Sequence, residues 1–112
     1  MQEYLFSYGT IQQGKVQMEI FGRQLTGIPD RLIGYRLASI EIKDASFQDK
    51  SEQKYHVIAI CSNDKKDAIE GTVFELSMAE LLEADKYEPD EYKRVSTELE
   101  SGIEAWVYVE AG

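Results

Sequence analysis

Residues 71–100 read "GTVFELSMAELLEADKYEPDEYKRVSTELE", and this stretch decides the fold because its pattern changes twice. Gly71–Leu76 is a short strand-type run. Ser77-Met78-Ala79-Glu80 is the pattern of a capping box, in which the serine hydroxyl takes an orphan amide of the first turn and the glutamate reaches back to the cap. Leu81, Leu82 and Ala84 follow at helical spacing. Pro89 stops the helix near Tyr87–Glu88, because the residue before a proline is pushed out of helical geometry. Glu88 therefore sits at or just past a helix C-terminus. Residues 91–100 return as a strand, and a turn at Ser101–Gly102 folds "GIEAWVYVEA" (102–111) back as its hairpin partner. In that last strand Ile103, Ala105, Val107 and Val109 share one face, and Trp106 and Tyr108 the other.

Upstream of this block, residues 2–8 read as a strand that halts at Ser7-Tyr8-Gly9-Thr10. "QQGKVQMEIF" (12–21) has the pattern of a short helix, weakened by Gly14. "GYRLASIEIK" (34–43) places Ala38, Ile40 and Ile42 on one side, as in a half-buried strand. Residues 43–54 are polar and read as an exposed connection. "YHVIAIC" (55–61), nearly all apolar, reads as a central strand. About six strands with one or two helices and short, antiparallel-style connections define the α+β class. The expected architecture is a curved sheet with one or two helices, open or closed into a small mixed, mostly antiparallel β-barrel, formed by residues 1–112 as a single domain.

Charge excludes several functions. Twelve basic against 21 acidic residues leave a net charge of −9, which opposes nucleic acid, whose affinity rests on phosphate neutralisation, and anionic membrane surfaces. No run approaches the roughly 20 apolar residues that span a bilayer, and the N-terminus lacks the features of a signal peptide. A cytoplasmic location is the expectation. The single cysteine, Cys61, cannot form an internal disulfide and reads as a small buried hydrophobe. His56, the only histidine, has no second histidine for a zinc site and no nucleophile motif nearby, so it reads as structural or surface-exposed. No phosphate-binding glycine motif is present, and no cofactor or metal is expected.

Two places could carry chemistry. The turn Tyr8-Gly9-Thr10-Ile11-Gln12 follows a strand; it is either a plain turn or a cradle of successive backbone N–H groups for a carboxylate or phosphate. Glu88 is either a solvated acid like its neighbours or a partly buried one. In the second case burial and the negative helix end both raise its pKa, as a general base requires near neutral pH.

Taken in order, "YLFSYGTIQ", "IEGTVFEL", "LLEADKYEPDEYKR" and "AWVYV" resemble the gamma-glutamylcyclotransferase-like family, which includes gamma-glutamylcyclotransferase, gamma-glutamylamine cyclotransferase and the plant avirulence-induced proteins. Its Leu-x-x-Asp-x-Tyr/Phe-Glu pattern, with a Tyr and an Arg further on, falls on Leu82, Asp85, Tyr87, Glu88, Tyr92 and Arg94. The resemblance implies a small mixed α/β barrel with one cavity and no metal. In it Tyr8, Gly9, Thr10 and Ile11 would bind the glutamyl end of a gamma-glutamyl small molecule, and Glu88 would be the catalytic acid/base. The substrate's own α-amine would attack its γ-carbonyl, closing 5-oxoproline and releasing an amine. Tyr92 is placed with the binding residues, orienting Glu88 through a hydrogen bond; Arg94 reads as an anchor of an exposed strand. Many members carry Leu then Arg, Lys or Asn where this chain has Ile11 then Gln12, which removes a positive charge from the rim. The competing reading is a non-catalytic member that keeps the cavity and binds a small ligand.

Overall fold

The structure, a computed structural model, describes residues 2–41 and 55–111. Ile42 and the expected exposed connection over 43–54 lie outside the described residues. Strand β1 (Gln2–Ser7) leads through a 3-10 turn (Thr10–Gln12) into helix α1 (Gly14–Phe21). There follow β2 (Gly27–Ile33), β3 (Tyr35–Glu41), β4 (Tyr55–Cys61) and β5 (Ala68–Ser77). Helix α2 (Met78–Tyr87) and the hairpin β6 (Tyr92–Glu98) and β7 (Glu104–Glu110) complete the chain.

Five strands form one sheet in the order β2-β5-β1-β7-β6, and β3 and β4 form a separate two-stranded ribbon. All the pairings are antiparallel except β1 with β7, where Leu5 faces Trp106 and Phe6 faces Val107. The first and last strands of the chain thus lie side by side in the middle of the sheet. Leu5, Phe6 and Ser7 are buried in succession, because both faces of β1 are covered. On one face Leu5 joins Ile11, Val16, Leu76, Leu81, Ala84 and Tyr108 beneath the two helices. On the other, Phe6 joins Leu32, Ile69, Val73, Val107 and Val109, with Ala59 of the ribbon packed against them. The alternation read from β7 is the one observed: Ala105, Val107 and Val109 enter the ribbon-side core, Tyr108 the helix-side core.

The expected barrel is not closed by a continuous ladder. The sheet curls until its far edges meet through polar contacts: Glu100 N–H donates to the Arg31 carbonyl at 2.9 Å, and the Ser101 hydroxyl to the Asp30 carboxylate at 2.5 Å. The seam between β4 and the sheet is closed by side chains. The amide of Ala59 donates to the Tyr8 hydroxyl (2.9 Å), and the Tyr92 hydroxyl donates to the Val57 carbonyl (2.6 Å). Residues 57 and 59 present their backbone groups on one strand edge, so two phenols stand where a neighbouring strand would be. Accordingly β4, read as a central strand, has β3 as its only ladder partner among the described residues.

Two further expectations change. Strand β2 was not expected, because Pro29 and Asp30 break its apolar pattern; it is a sheet edge, where a missing N–H is tolerated. Cys61 is exposed, not buried: it is the last residue of β4, and its thiol donates to Asn63 Oδ1 at 3.4 Å. Gly71 of "IEGTVFEL" has a packing reason. A Cβ there would stand 2.5 Å from the Ser7 carbonyl oxygen and 2.7 Å from the Phe6 ring, so only glycine lets β5 approach the end of β1.

Candidate functional site

Helix α2 is fixed at both ends. Its capping box is complete: Glu80 N–H donates to Ser77 Oγ (3.1 Å), and Ser77 N–H to Glu80 Oε1 (2.9 Å). Arg23 adds a two-pronged ion pair to the same carboxylate at 2.7 and 2.9 Å, and this pair, with the capping bonds, holds its pKa down at about 2. At the other end Glu88 leaves helical geometry at ψ 134°, while its N–H still bonds the Ala84 carbonyl at 3.1 Å. This places the Glu88 side chain at the mouth of the helix end, against the buried Pro89.

The turn after β1 is equally determined. Gln12 and Gln13 amides bond the Gly9 and Thr10 carbonyls at 3.2 and 2.9 Å. The buried Gln17 side chain donates to the Ile11 carbonyl at 2.9 Å and accepts from Leu25 N–H at 2.7 Å. Ile11 itself is driven into the helix-side core, only 2% exposed. One bond ties the turn to the helix end: the hydroxyls of Thr10 and Tyr87 lie 2.8 Å apart.

Between them lies a cavity of about 280 Å³. Its wall takes Phe6 to Thr10 from the end of β1, Gln13 before α1, and His56 and Val57 from β4. Tyr87, Glu88 and Pro89 come from the end of α2, Tyr92 from β6 and Tyr108 from β7. Of the residues singled out from the sequence, Tyr8, Gly9, Thr10, Glu88 and Tyr92 face this one cavity; the Ile11 side chain does not. The Tyr92 hydroxyl, read as a partner of Glu88, gives its proton to Val57 instead. Gly9 has φ −124°, and a Cβ on it would make only an ordinary 3.8 Å contact with Val57. Packing within the protein does not demand glycine there; the space it leaves open is cavity. His56, read as structural or surface-exposed, is buried and lines the wall.

Electrostatically the cavity is unusual for so acidic a protein. Glu88 as a residue is only partly covered, its open part facing the hollow, yet its carboxyl sits deep among protein atoms. Burial, with the charge of Asp85 second, pushes its pKa up to about 8. No group among the described residues donates a hydrogen bond to it, and no lysine or arginine among them lines the cavity. Burial also pushes the Tyr8, Tyr92 and Tyr108 phenols upward, so these stay neutral. Tyr8 is pinned between the Tyr108 carbonyl (2.5 Å) and Ala59 N–H. Asp85 behaves in the opposite way to Glu88. Its partial burial opposes charge, but Arg94 (2.8 and 3.0 Å) and the Tyr108 hydroxyl (2.7 Å) outweigh that and hold it below the usual carboxylate range. Arg94, read as a strand anchor, also lies 4.3 Å over the Trp106 ring.

Among the described residues no three His, Cys, Asp or Glu side chains are grouped to hold a metal, and no helix is long and apolar enough to cross a membrane. Tyr108 and His56 carry no local mark of a site in the sequence, whereas Tyr87 lies inside the Asp-x-Tyr-Glu pattern.

Fold and cavity define a class: a small α+β domain with a hollow whose wall carries a buried carboxyl that titrates near neutral pH. Residues 5–112 match the family model described as "Gamma-glutamyl cyclotransferase, AIG2-like", and the chain belongs to that family. Solved structures share the fold. An Arabidopsis thaliana protein, At3g28950.1, is 24% identical with a TM-score of 0.69 over 98% of this chain and 62% of its own. A structure described as gamma-glutamyl cyclotransferase is 14% identical with a TM-score of 0.71, over all of this chain and 68% of its own. The uropathogenic Escherichia coli-specific protein c4763 is 18% identical with a TM-score of 0.70, over all of this chain and 81% of its own. The chain thus spans less than two thirds of the length of the first of these. No curated protein matches it in sequence.

Proposed function

We propose that the protein is a gamma-glutamyl cyclotransferase that converts a gamma-glutamyl compound into 5-oxoproline and a free amine. The observation that carries this reading is the shielded Glu88 carboxyl, without a hydrogen-bond donor among the described residues, facing the Tyr8–Thr10 turn across one cavity. The substrate's α-ammonium enters beside Glu88, and its positive charge favours the carboxylate there. Glu88 takes a proton from the ammonium. The freed nitrogen attacks the γ-carbonyl carbon, a C–N bond closes the five-membered ring, and the old C–N bond to the departing amine breaks. Two protons pass in turn from the α-nitrogen through Glu88 to the departing nitrogen, which leaves as the protonated amine and restores the carboxylate. With no lysine or arginine on the described wall, backbone N–H groups of the turn at residues 8–11 hold the substrate's anionic groups. The rest of the rate comes from folding the glutamyl chain into its cyclising shape.

The test is incubation with a panel of gamma-glutamyl amino acids and gamma-glutamylamines, with 5-oxoproline read by chromatography. At least one compound should cyclise, and Glu88→Gln should lower turnover by about 10²- to 10⁴-fold with its circular dichroism unchanged. Full turnover in Glu88→Gln would refute the role of the carboxyl. Saturable binding with no lactam from any compound would leave a binding domain in place of an enzyme.

A further inference from the structure

A second hollow, of about 390 Å³, adjoins the first and shares Glu88, Pro89, Tyr92 and Tyr108 with it; Asp85, Asp90, Arg94 and Trp106 complete its wall. Asp85 has no place in the wall of the first cavity. It stands three residues before Glu88 at the end of α2, where side chains at that spacing lie on one helix face. Its position is over-determined. Arg94 Nε and Nη2 grip both carboxylate oxygens, Tyr108 adds a third bond, and Trp106 backs the guanidinium. Two carboxyls on the wall of one hollow, one gripped by three donors and the other by none among the described residues, cannot both be ionised cheaply.

We propose that Asp85, held by Arg94 and Tyr108, is a positioning residue for the site's acid: its charge adds to burial in opposing a second negative charge on Glu88 until a cationic group enters the cavity. The catalytic meaning of this rests on the cyclotransferase reading; the coupling itself does not. The other titratable and charged groups that share a wall with Glu88 are Tyr87 on α2, Asp90 after it, Tyr8 at the end of β1, His56 on β4, Tyr92 and Arg94 on β6, and Tyr108 on β7; Glu91 follows Asp90 in the chain. Burial keeps the Tyr8, Tyr92 and Tyr108 phenols neutral, and Asp90 is exposed to screening solvent. Among the described residues, Asp85 is the charge that acts on Glu88, second to burial. A resting site built this way holds a neutral acid beside a compensated ion pair. An arriving ammonium reverses the balance, because it supplies the counter-charge that Glu88 lacks.

The experiment is a carbon-13 NMR titration of the Glu88 carboxyl in the intact, ligand-free chain, its signal identified by loss in Glu88→Gln. Asp85→Asn should lower the titration midpoint by about one pH unit. Arg94→Met, which strips Asp85 of its counter-ion, should raise it. Opposite signs distinguish charge coupling from mere loosening, which would move both midpoints toward that of a solvated carboxyl. An unmoved midpoint in Asp85→Asn, or both variants shifting the same way, overturns the proposal. If Asp85→Asn does not fold, an unmoved or lowered midpoint in Arg94→Met overturns it alone. Midpoints that move as expected while no gamma-glutamyl compound cyclises uphold the coupling and sink the cyclotransferase reading.

Discussion

Glutamine at position 88 should gain stability relative to the native glutamate progressively as the pH rises. The folded protein holds the Glu88 pKa at about 8, against 4.5 for a freely solvated glutamate such as the unfolded chain presents. Below pH 4.5 both states are protonated and the carboxyl costs nothing. Between 4.5 and 8 the unfolded chain ionises while the fold resists, so stability falls with rising pH, by about 1.4 kcal/mol per pH unit. Above 8 both states are ionised and the loss levels off. The full displacement amounts to about 5 kcal/mol, of which about 3 kcal/mol is already lost at pH 7. Glutamine does not titrate. Its buried amide carries a cost of its own, but that cost is independent of pH, so the observable is the slope of the difference. For a domain of this size each kcal/mol moves the melting temperature by about 3–6 °C. The gap in Tm between Glu88→Gln and wild type should therefore widen by about 10 °C or more between pH 5 and pH 8. Thermal unfolding at constant ionic strength, followed by circular dichroism, reads it directly, and the titrating groups that do not act on Glu88 cancel in the difference. A gap that stays constant with pH would refute the burial argument and the acid/base role built on it.

Gly71→Ala should cost about 1–3 kcal/mol or more in thermal unfolding, because its Cβ meets the Ser7 carbonyl and the Phe6 ring and neither is the far end of a flexible chain; a change below about 0.5 kcal/mol would contradict the close approach of β5 to β1. Ser77→Ala should lower stability by about 1 kcal/mol in denaturant titration through loss of the cap on α2, leaving cyclisation unaffected; an equal loss of activity would mean that the helix end at Glu88 depends on its start.

Helix α2 was legible because its signals are local: Ser77, Glu80 and Pro89 act within a turn of the residues they govern. Strand β4 was legible as a strand but not as part of a separate ribbon, since an apolar run shows burial and not which neighbour provides it. The side-by-side placement of β1 and β7 has no local mark, being a pairing of residues about a hundred positions apart. At the site, the turn at Tyr8, Gly9 and Thr10 and the helix-end acid Glu88 were legible as candidates from local chemistry, and the resemblance joined them in one site. Their gathering through the Thr10–Tyr87 bond is a tertiary fact. His56 escaped notice because a lone histidine names no partner, and Ile11 was placed in the binding turn although its side chain serves the core.

The two phenols that stand in for a strand along β4 have a consequence beyond the cavity they help to line. An unpaired strand edge invites a foreign chain to dock on it, and Tyr8 and Tyr92 occupy that edge with single hydroxyls. Guarding against self-assembly and shaping a ligand's berth have been given to the same two rings, so evolution cannot retune one duty without disturbing the other.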